Sequence, residues 1–322
     1  MEYSFVIPCY RSEKTISLVV EEIDLEMKKG NCSDYEIIMV NDCSPDGTWR
    51  VLQELAKQDG RRVCVNLAKN VGQHAALMAG FGQCRGEYVV TSDDDMQTPI
   101  NEIWALRKKL DEGYDVATSL YTEREGFSLG RKLGTLMNNI MSRWLIDAPK
   151  GVYASIFLMA RKFVIDEIVR YDNPYPYLAG LVFRTTHNVA NVEMKQNPRA
   201  GGSSGYNFWK LFSLWMNGFT AFSLKPLRIA DVLGVITAMV GFIMGLVIII
   251  RKITNPSIAA GWTSIMSINL LLSGIMMLML GLIGEYIGRL YICINRTPQY
   301  VIRDIVRGEQ AVKSAGENSQ DY

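Results

Sequence analysis

The sequence of 322 residues predicts an α/β fold, a mostly parallel sheet domain followed by two membrane-spanning helices. Three observations carry this reading. Short apolar runs alternate with helical periodicity from Tyr3 to about Leu120. Each of the first four runs is followed by a polar loop, and two of these loops open on carboxylates. Charges almost vanish between residues 229 and 288.

The runs Tyr3–Pro8, Tyr35–Val40, Arg62–Leu67, Glu87–Thr91 and Asp115–Ser119 read as strands. The amphipathic segments Thr15–Lys29, Thr48–Asp59, Gln73–Cys84 and Ile100–Glu112 read as the helices between them. Strands that are apolar without alternation are covered on both faces, which is the arrangement of a parallel sheet. Ligands of such sheets bind beyond the carboxyl ends of the strands. The loops to inspect are therefore Pro8–Glu13, Asn41–Thr48, Lys69–Gln73 and Ser92–Gln97.

The membrane part follows from charge. Residues 229–288 hold only Asp231, Arg251, Lys252 and Glu285, against 67 charged residues in the whole chain. Val232–Ile250 and Ile265–Ile283 are apolar stretches of 19 residues each, and a span needs roughly 20. The connector holds Pro256 and Gly261, which suits a helical hairpin. Lys210, Lys225 and Arg228 precede the first span, and Arg289, Arg296, Arg303 and Arg307 follow the second. Basic residues stay in the cytosol, so both termini and the sheet domain are expected there. The opening MEYSFVIPCY has no signal-peptide pattern, in agreement. Phe208, Trp209, Phe212, Trp215, Met216 and Phe219 recur at helical spacing just before the first span and predict an interfacial helix. The expected domains are thus 1–200, a cytosolic sheet domain; 201–228, a juxtamembrane amphipathic region; 229–288, the hairpin; and 289–322, a cytosolic tail.

Composition excludes several functions. With 34 Lys+Arg, 33 Asp+Glu and a net charge of +1, the chain lacks the basic surplus of a nucleic-acid binder. Six cysteines show neither metal-ligand spacing nor a disulfide framework. GxxxxGK[ST] and GxGxxG are missing where a phosphate-binding turn would need them. What stands out is Asp93-Asp94-Asp95 at the end of a buried strand, with Asp42 ending its neighbour. Clustered carboxylates repel one another and are costly to desolvate. An oxygen-only set points to Mg²⁺ or Mn²⁺, which bridge one or two carboxylates to substrate phosphates. His74 reads as a structural hydrogen-bonder.

The loops also resemble a known pattern. P-x-Y (Pro8–Tyr10), V-N-D-x-S-x-D-x-T (Val40–Thr48), N-x-G-Q-x-x-A (Asn70–Ala76) and D-x-D-x-Q (Asp93–Gln97) occur in the order seen in family 2 glycosyltransferases of the GT-A fold. Arg199–Tyr206 is similar to R-x-x-G-x-S-x-Y, and Gly284–Tyr291 to G-E-Y-I-G-R-x-Y. With the two spans, these mark the polyisoprenyl-phosphate glycosyltransferase branch, over about residues 3–305. The resemblance implies an inverting, metal-dependent transfer of a sugar from a UDP- or GDP-sugar to undecaprenyl or dolichyl phosphate. It implies that Pro8, Tyr10 and Asp42 hold the base and ribose. Asp93, Asp95 and Gln97 would form the Mg²⁺ or Mn²⁺ and diphosphate site, with Asp94 the variable middle position. Arg124, Arg131, Arg199, Ser203 and Ser204 would meet the sugar diphosphate or the acceptor phosphate, with Arg131 counted among the catalytic residues. Arg11 stands where the family usually has Asn, and Lys150–Ser155 lacks the acidic residue of many relatives. A phosphate monoester has a second pKa of roughly 6, so a lipid phosphate attacks without a general base. Another membrane acceptor (a glycolipid or polysaccharide) and a silent membrane scaffold are the alternatives. Association with further copies of the chain is left open.

Overall fold

In the computed structural model of the chain, the described residues are 1–121, 149, 151–153, 155–197, 225–254, 261–295 and 297–308. They fall into two compact units. The first is a sheet domain of eight strands: β1 (Tyr3–Cys9), β2 (Tyr35–Asn41), β3 (Arg62–Leu67), β4 (Tyr88–Thr91), β5 (Val116–Tyr121), β6 (Leu158–Arg161), β7 (Val189–Met194) and β8 (Ile302–Arg307). Between them lie α1 (Ile16–Lys29), α2 (Thr48–Gln58), α3 (Gln73–Phe81), α4 (Ile103–Asp111), α5 (Lys162–Val169) and α6 (Leu178–Thr185). The first five strands and first four helices start and stop within a few residues of the sequence expectation.

The strand order is β7-β5-β6-β4-β1-β2-β3-β8. β3, β2, β1 and β4 run parallel, as do β5 and β7. β6 inserts antiparallel between β4 and β5, and β8 closes the far edge antiparallel to β3. This is the mixed, mostly parallel sheet of a GT-A-like domain. Every residue of β1, β2, β3 and β4 is buried, which explains runs that are mostly apolar without alternation, interrupted by the buried Ser4, Glu36, Arg62 and Asn66. Phe5 and Ile7 belong to one core cluster with Ile16, Val20 and Ile23 of α1 and Leu106 of α4. On the opposite face α3 lies close to the sheet: a Cβ on Gly80 would stand 2.4 Å from Cγ1 of Val6.

The second unit holds α7 (Lys225–Thr254) and α8 (Trp262–Ile294). Ala230–Val247 and Leu271–Ile294 are long and apolar enough to cross a membrane, and neither stretch is buried within the structure. The chain is an integral membrane protein, and the basic residues beyond the spans keep its sheet domain cytosolic. The second apolar stretch lies later than the expected Ile265–Ile283. Residues 302–307, read from sequence as part of a tail, form β8. The stretch 208–219, read as an interfacial helix, lies outside the described residues.

Candidate active site

The parallel strands deliver their loops to one edge because their registers are nearly level. Cys9 lies beside Asn41, and Asn41 beside Asn66. β4 stops at Thr91, beside Val6, so the following loop passes next to the end of β1. Each of these four loops contains a left-handed residue: Arg11 (φ 59°), Cys43 (φ 49°), Gly72 (φ 87°) and Met96 (φ 65°). For an L residue this conformation costs about 1–2 kcal/mol, and it collects where surrounding contacts over-determine the backbone, often at functional sites.

Those contacts are hydrogen bonds between loops. The Arg11 N–H donates to Ser44 Oγ at 2.7 Å, and the Ser12 N–H to Thr48 Oγ1 at 2.9 Å. Asp46 accepts from the Ser44 and Thr48 hydroxyls and from the Thr48 N–H. Partial burial alone would raise the Asp46 pKa, but these donors outweigh it and hold it below the ordinary carboxylate value. Asp42 is 3% exposed. Its Oδ1 accepts from the Val71 N–H at 2.7 Å and its Oδ2 from the Gly72 N–H at 2.9 Å. Burial pushes Asp42 upward in pKa, and the same two N–H groups oppose the shift. Behind these loops runs a polar ladder across three strands. Asn66 Nδ2 donates to Asp304 of β8, Asn41 Nδ2 donates to Asn66 Oδ1, and the Ser44 N–H donates to Asn41 Oδ1.

The acidic run after β4 splits three ways. Asp93 Oδ1 accepts from Gln73 Nε2 at 2.7 Å. Asp95 Oδ1 accepts from the Gln97 N–H at 3.1 Å, across the left-handed Met96. Asp94 Oδ2 accepts from the Tyr10 N–H at 3.0 Å and from the Ser12 hydroxyl. Burial, and then the charges of Asp95 and Asp94, push Asp93 up to about 6. Among the described residues, no three His, Cys, Asp or Glu side chains are grouped to hold a metal. The run is therefore no three-carboxylate cage, since Asp94 turns to the first loop. The remaining donors still suit a hard divalent cation, because Mg²⁺ typically takes one or two carboxylates and completes its shell with waters and substrate phosphates. The rise at Asp93 comes first from burial, and the neighbouring carboxylates add to it.

Of the residues assigned from sequence, Pro8 is buried inside β1 and Tyr10 is exposed at its end. Asp42, Asp93, Asp95 and Gln97 stand in the loops at that same edge. Arg124, Arg131, Arg199, Ser203 and Ser204 lie outside the described residues, as does Asp147, the carboxylate near Lys150–Ser155 but out of register with the acidic residue of relatives. Sequence reasoning gave no separate role to Gln73, Ser12 or Ser44, whose partners in other loops are 20 to 82 residues away and visible only in the folded sheet.

His74, the second residue of α3, accepts the Leu178 N–H on Nδ1 and meets the Tyr177 ring edge-on at 5.2 Å. Burial lowers its pKa from 6.5 to about 4. The unfolded chain takes up this proton first, so His74 stabilises the fold fully above pH 6.5 and loses that contribution as pH falls toward about 4. His74→Asn keeps an acceptor near Leu178 and should flatten that part of the Tm–pH curve of the solubilised protein. An unchanged curve would reject the assignment.

Comparison with known proteins gives two family matches. Residues 4–168 match "Glycosyl transferase family 2", and residues 225–290 match "GtrB C-terminal hairpin". The chain is 31% identical over 303 residues to the uncharacterized glycosyltransferase YkcC of Bacillus subtilis, covering 94% of each chain. It is 30% identical over 321 residues to the undecaprenyl-phosphate 4-deoxy-4-formamido-L-arabinose transferase of Proteus mirabilis, covering 99% of this chain and 97% of that one. A protein of the same description from Serratia proteamaculans is 31% identical over 310 residues, covering 95% and 94%.

Proposed function

The chain belongs to glycosyl transferase family 2, and from that premise we propose that it transfers a sugar from a nucleotide sugar to a membrane polyprenyl phosphate. The transfer inverts the anomeric centre. One observation carries this reading: the likeness to the undecaprenyl-phosphate transferases runs through the sheet domain and the membrane hairpin alike. A soluble acceptor would need no such hairpin.

In this reading the nucleotide lies across the loops after β1 and β2, with the exposed Tyr10 ring beside the base. Asp93 and Asp95, with Gln97, would hold Mg²⁺ or Mn²⁺. When bound, the cation would supply Lewis-acid charge neutralisation for a nucleoside diphosphate leaving group. Gln73 fixes the Asp93 carboxylate through its 2.7 Å hydrogen bond. Asp95 is fixed by the turn that returns the Gln97 N–H to it. The acceptor phosphate oxygen attacks the anomeric carbon from the face opposite the leaving group. That oxygen is already largely ionised at neutral pH, with a second pKa of roughly 6. The chain must therefore position the acceptor and screen its charge, for which arginine is suited. We assign this task to Arg131, with Arg124, Arg199, Ser203 and Ser204 around it.

The test uses the full chain in detergent, with UDP- and GDP-sugars screened by thermal shift in Mn²⁺. Radiolabelled transfer from the nucleotide sugar that binds is then measured to undecaprenyl phosphate, undecaprenol and diacylglycerol. Product with the phosphate alone is the expected result. Equal transfer to undecaprenol would overturn the reading.

A further inference from the structure

The three adjacent carboxylates after β4 are chemically identical, yet the fold gives the middle one a different task. We propose that Asp94 is a positioning residue, an uncharged-acceptor function in a charged side chain, which sets the shape of the β1 loop where the nucleotide binds. The nucleotide part of this inference rests on the proposed function.

The argument starts at Arg11, which adopts φ 59° without being glycine. The turn must be held on both sides. On one side the β2 loop accepts the Arg11 and Ser12 N–H groups through Ser44 Oγ and Thr48 Oγ1. On the other side Asp94 takes the N–H of Tyr10 and the hydroxyl of Ser12. Tyr10, Arg11 and Ser12 are consecutive, so the two sets of bonds grip the turn between them. Ser12 is 2% exposed, and water is a poor substitute for its partner there. Tyr10 presents its ring outward, with the Arg11 guanidinium 5.6 Å from the ring centroid. Losing the Asp94 side of the grip frees the residue pair that faces the proposed nucleotide.

Both hydrogen bonds end on one oxygen, Oδ2. Two donors on one oxygen need two lone pairs, and an amide oxygen carries as many as a carboxylate oxygen. A cation ligand is different, because a neutral amide is a weaker donor to a hard cation. The same Asp→Asn change should therefore be mild at Asp94 and severe at Asp95.

The experiment compares Asp94→Ala, Asp94→Asn, Ser12→Ala and the Ser12→Ala/Asp94→Ala double variant in the full solubilised chain. Amide hydrogen exchange over residues 9–13 is read without ligand, and UDP and GDP binding by calorimetry in EDTA. Asp94→Ala should speed exchange at the Tyr10 amide and weaken chelator-resistant nucleotide binding by roughly ten- to a hundredfold, the loss that follows from leaving the buried Ser12 hydroxyl unpaired. At saturating nucleotide sugar its kcat should stay within about threefold of wild type, as a role in binding alone implies. Asp94→Asn should rescue exchange and binding together. The double variant should be no worse than Asp94→Ala, because Ser12→Ala removes a bond that Asp94→Ala has already broken. Wild-type exchange at Tyr10 in Asp94→Ala, or an Asp94→Asn variant as impaired as Asp94→Ala, would overturn the proposal. Wild-type protein that binds neither UDP nor GDP would instead overturn the nucleotide reading, while the exchange data still decide the loop.

Discussion

Asp95→Asn is expected to leave the sheet domain folded and to remove sugar transfer. The substitution keeps the side chain's shape and the acceptor for the Gln97 N–H, which lies at 3.1 Å from Asp95 Oδ1. What it removes is a negative charge beside Asp93, whose own carboxyl is pushed up to about 6 by burial and by the charges of Asp95 and Asp94. Relieving that repulsion does not destabilise the fold, so circular dichroism and Tm in chelator should match or exceed wild type. A metal that neutralises a leaving diphosphate contributes several kcal/mol to the transition state. At 1.36 kcal/mol per decade, losing its ligand should lower kcat/KM by about three orders of magnitude. Wild-type protein in EDTA should fall by a similar factor and recover with Mn²⁺ or Mg²⁺. If folded Asp95→Asn transferred sugar at the wild-type rate in EDTA, the cation would have no place at this site.

The contrast between Asp94 and Asp95 shows how far the sequence could be read. β1 to β4 were legible because they are buried on both faces, and such strands write themselves as near-continuous apolar runs. β6 runs directly into α5, so no turn residue marks off its short run. β8 reads Ile-Arg-Asp-Ile-Val-Arg, mostly exposed at the sheet edge. Its partner β3 lies some 240 residues earlier, and no local pattern encodes a pairing over that separation. The loops after the strands were legible as a group, since topology sends parallel strands' ligands to one edge. The division of labour inside D-D-D was not. Which carboxylate meets Tyr10 and Ser12 depends on β4 stopping at the level of Val6, a matter of register rather than residue type. Asp42 illustrates the same limit: sequence placed it at the edge, and the fold gives both its oxygens to the Val71 and Gly72 N–H groups.

Arg131→Ala and Asp147→Asn together distinguish a phosphate nucleophile from a hydroxyl nucleophile. A hydroxyl acceptor must lose its proton as it attacks, and a positioned base contributes typically 10²–10⁴-fold. Asp147 is the carboxylate nearest in sequence to Lys150–Ser155, where no acid occurs, so a hydroxyl mechanism would draw its base from there. A phosphate acceptor needs no base. It does need its negative charge matched, because it approaches a donor that already carries a diphosphate. Truncating one partner of a desolvated Arg–phosphate contact costs roughly 2–5 kcal/mol, which is one to three decades or more in rate or affinity. Under the proposed function, Arg131→Ala should therefore raise the acceptor KM or lower kcat by at least about tenfold, with UDP and GDP binding near wild type. Asp147→Asn should stay within about threefold of wild type, as expected where no proton is abstracted. The measurement is transfer of labelled sugar to a short-chain polyprenyl phosphate by both variants, beside calorimetric nucleotide binding. The reverse pattern, an inactive Asp147→Asn with an unaffected Arg131→Ala, would move the acceptor from phosphate to hydroxyl, because only a hydroxyl has a proton for Asp147 to take.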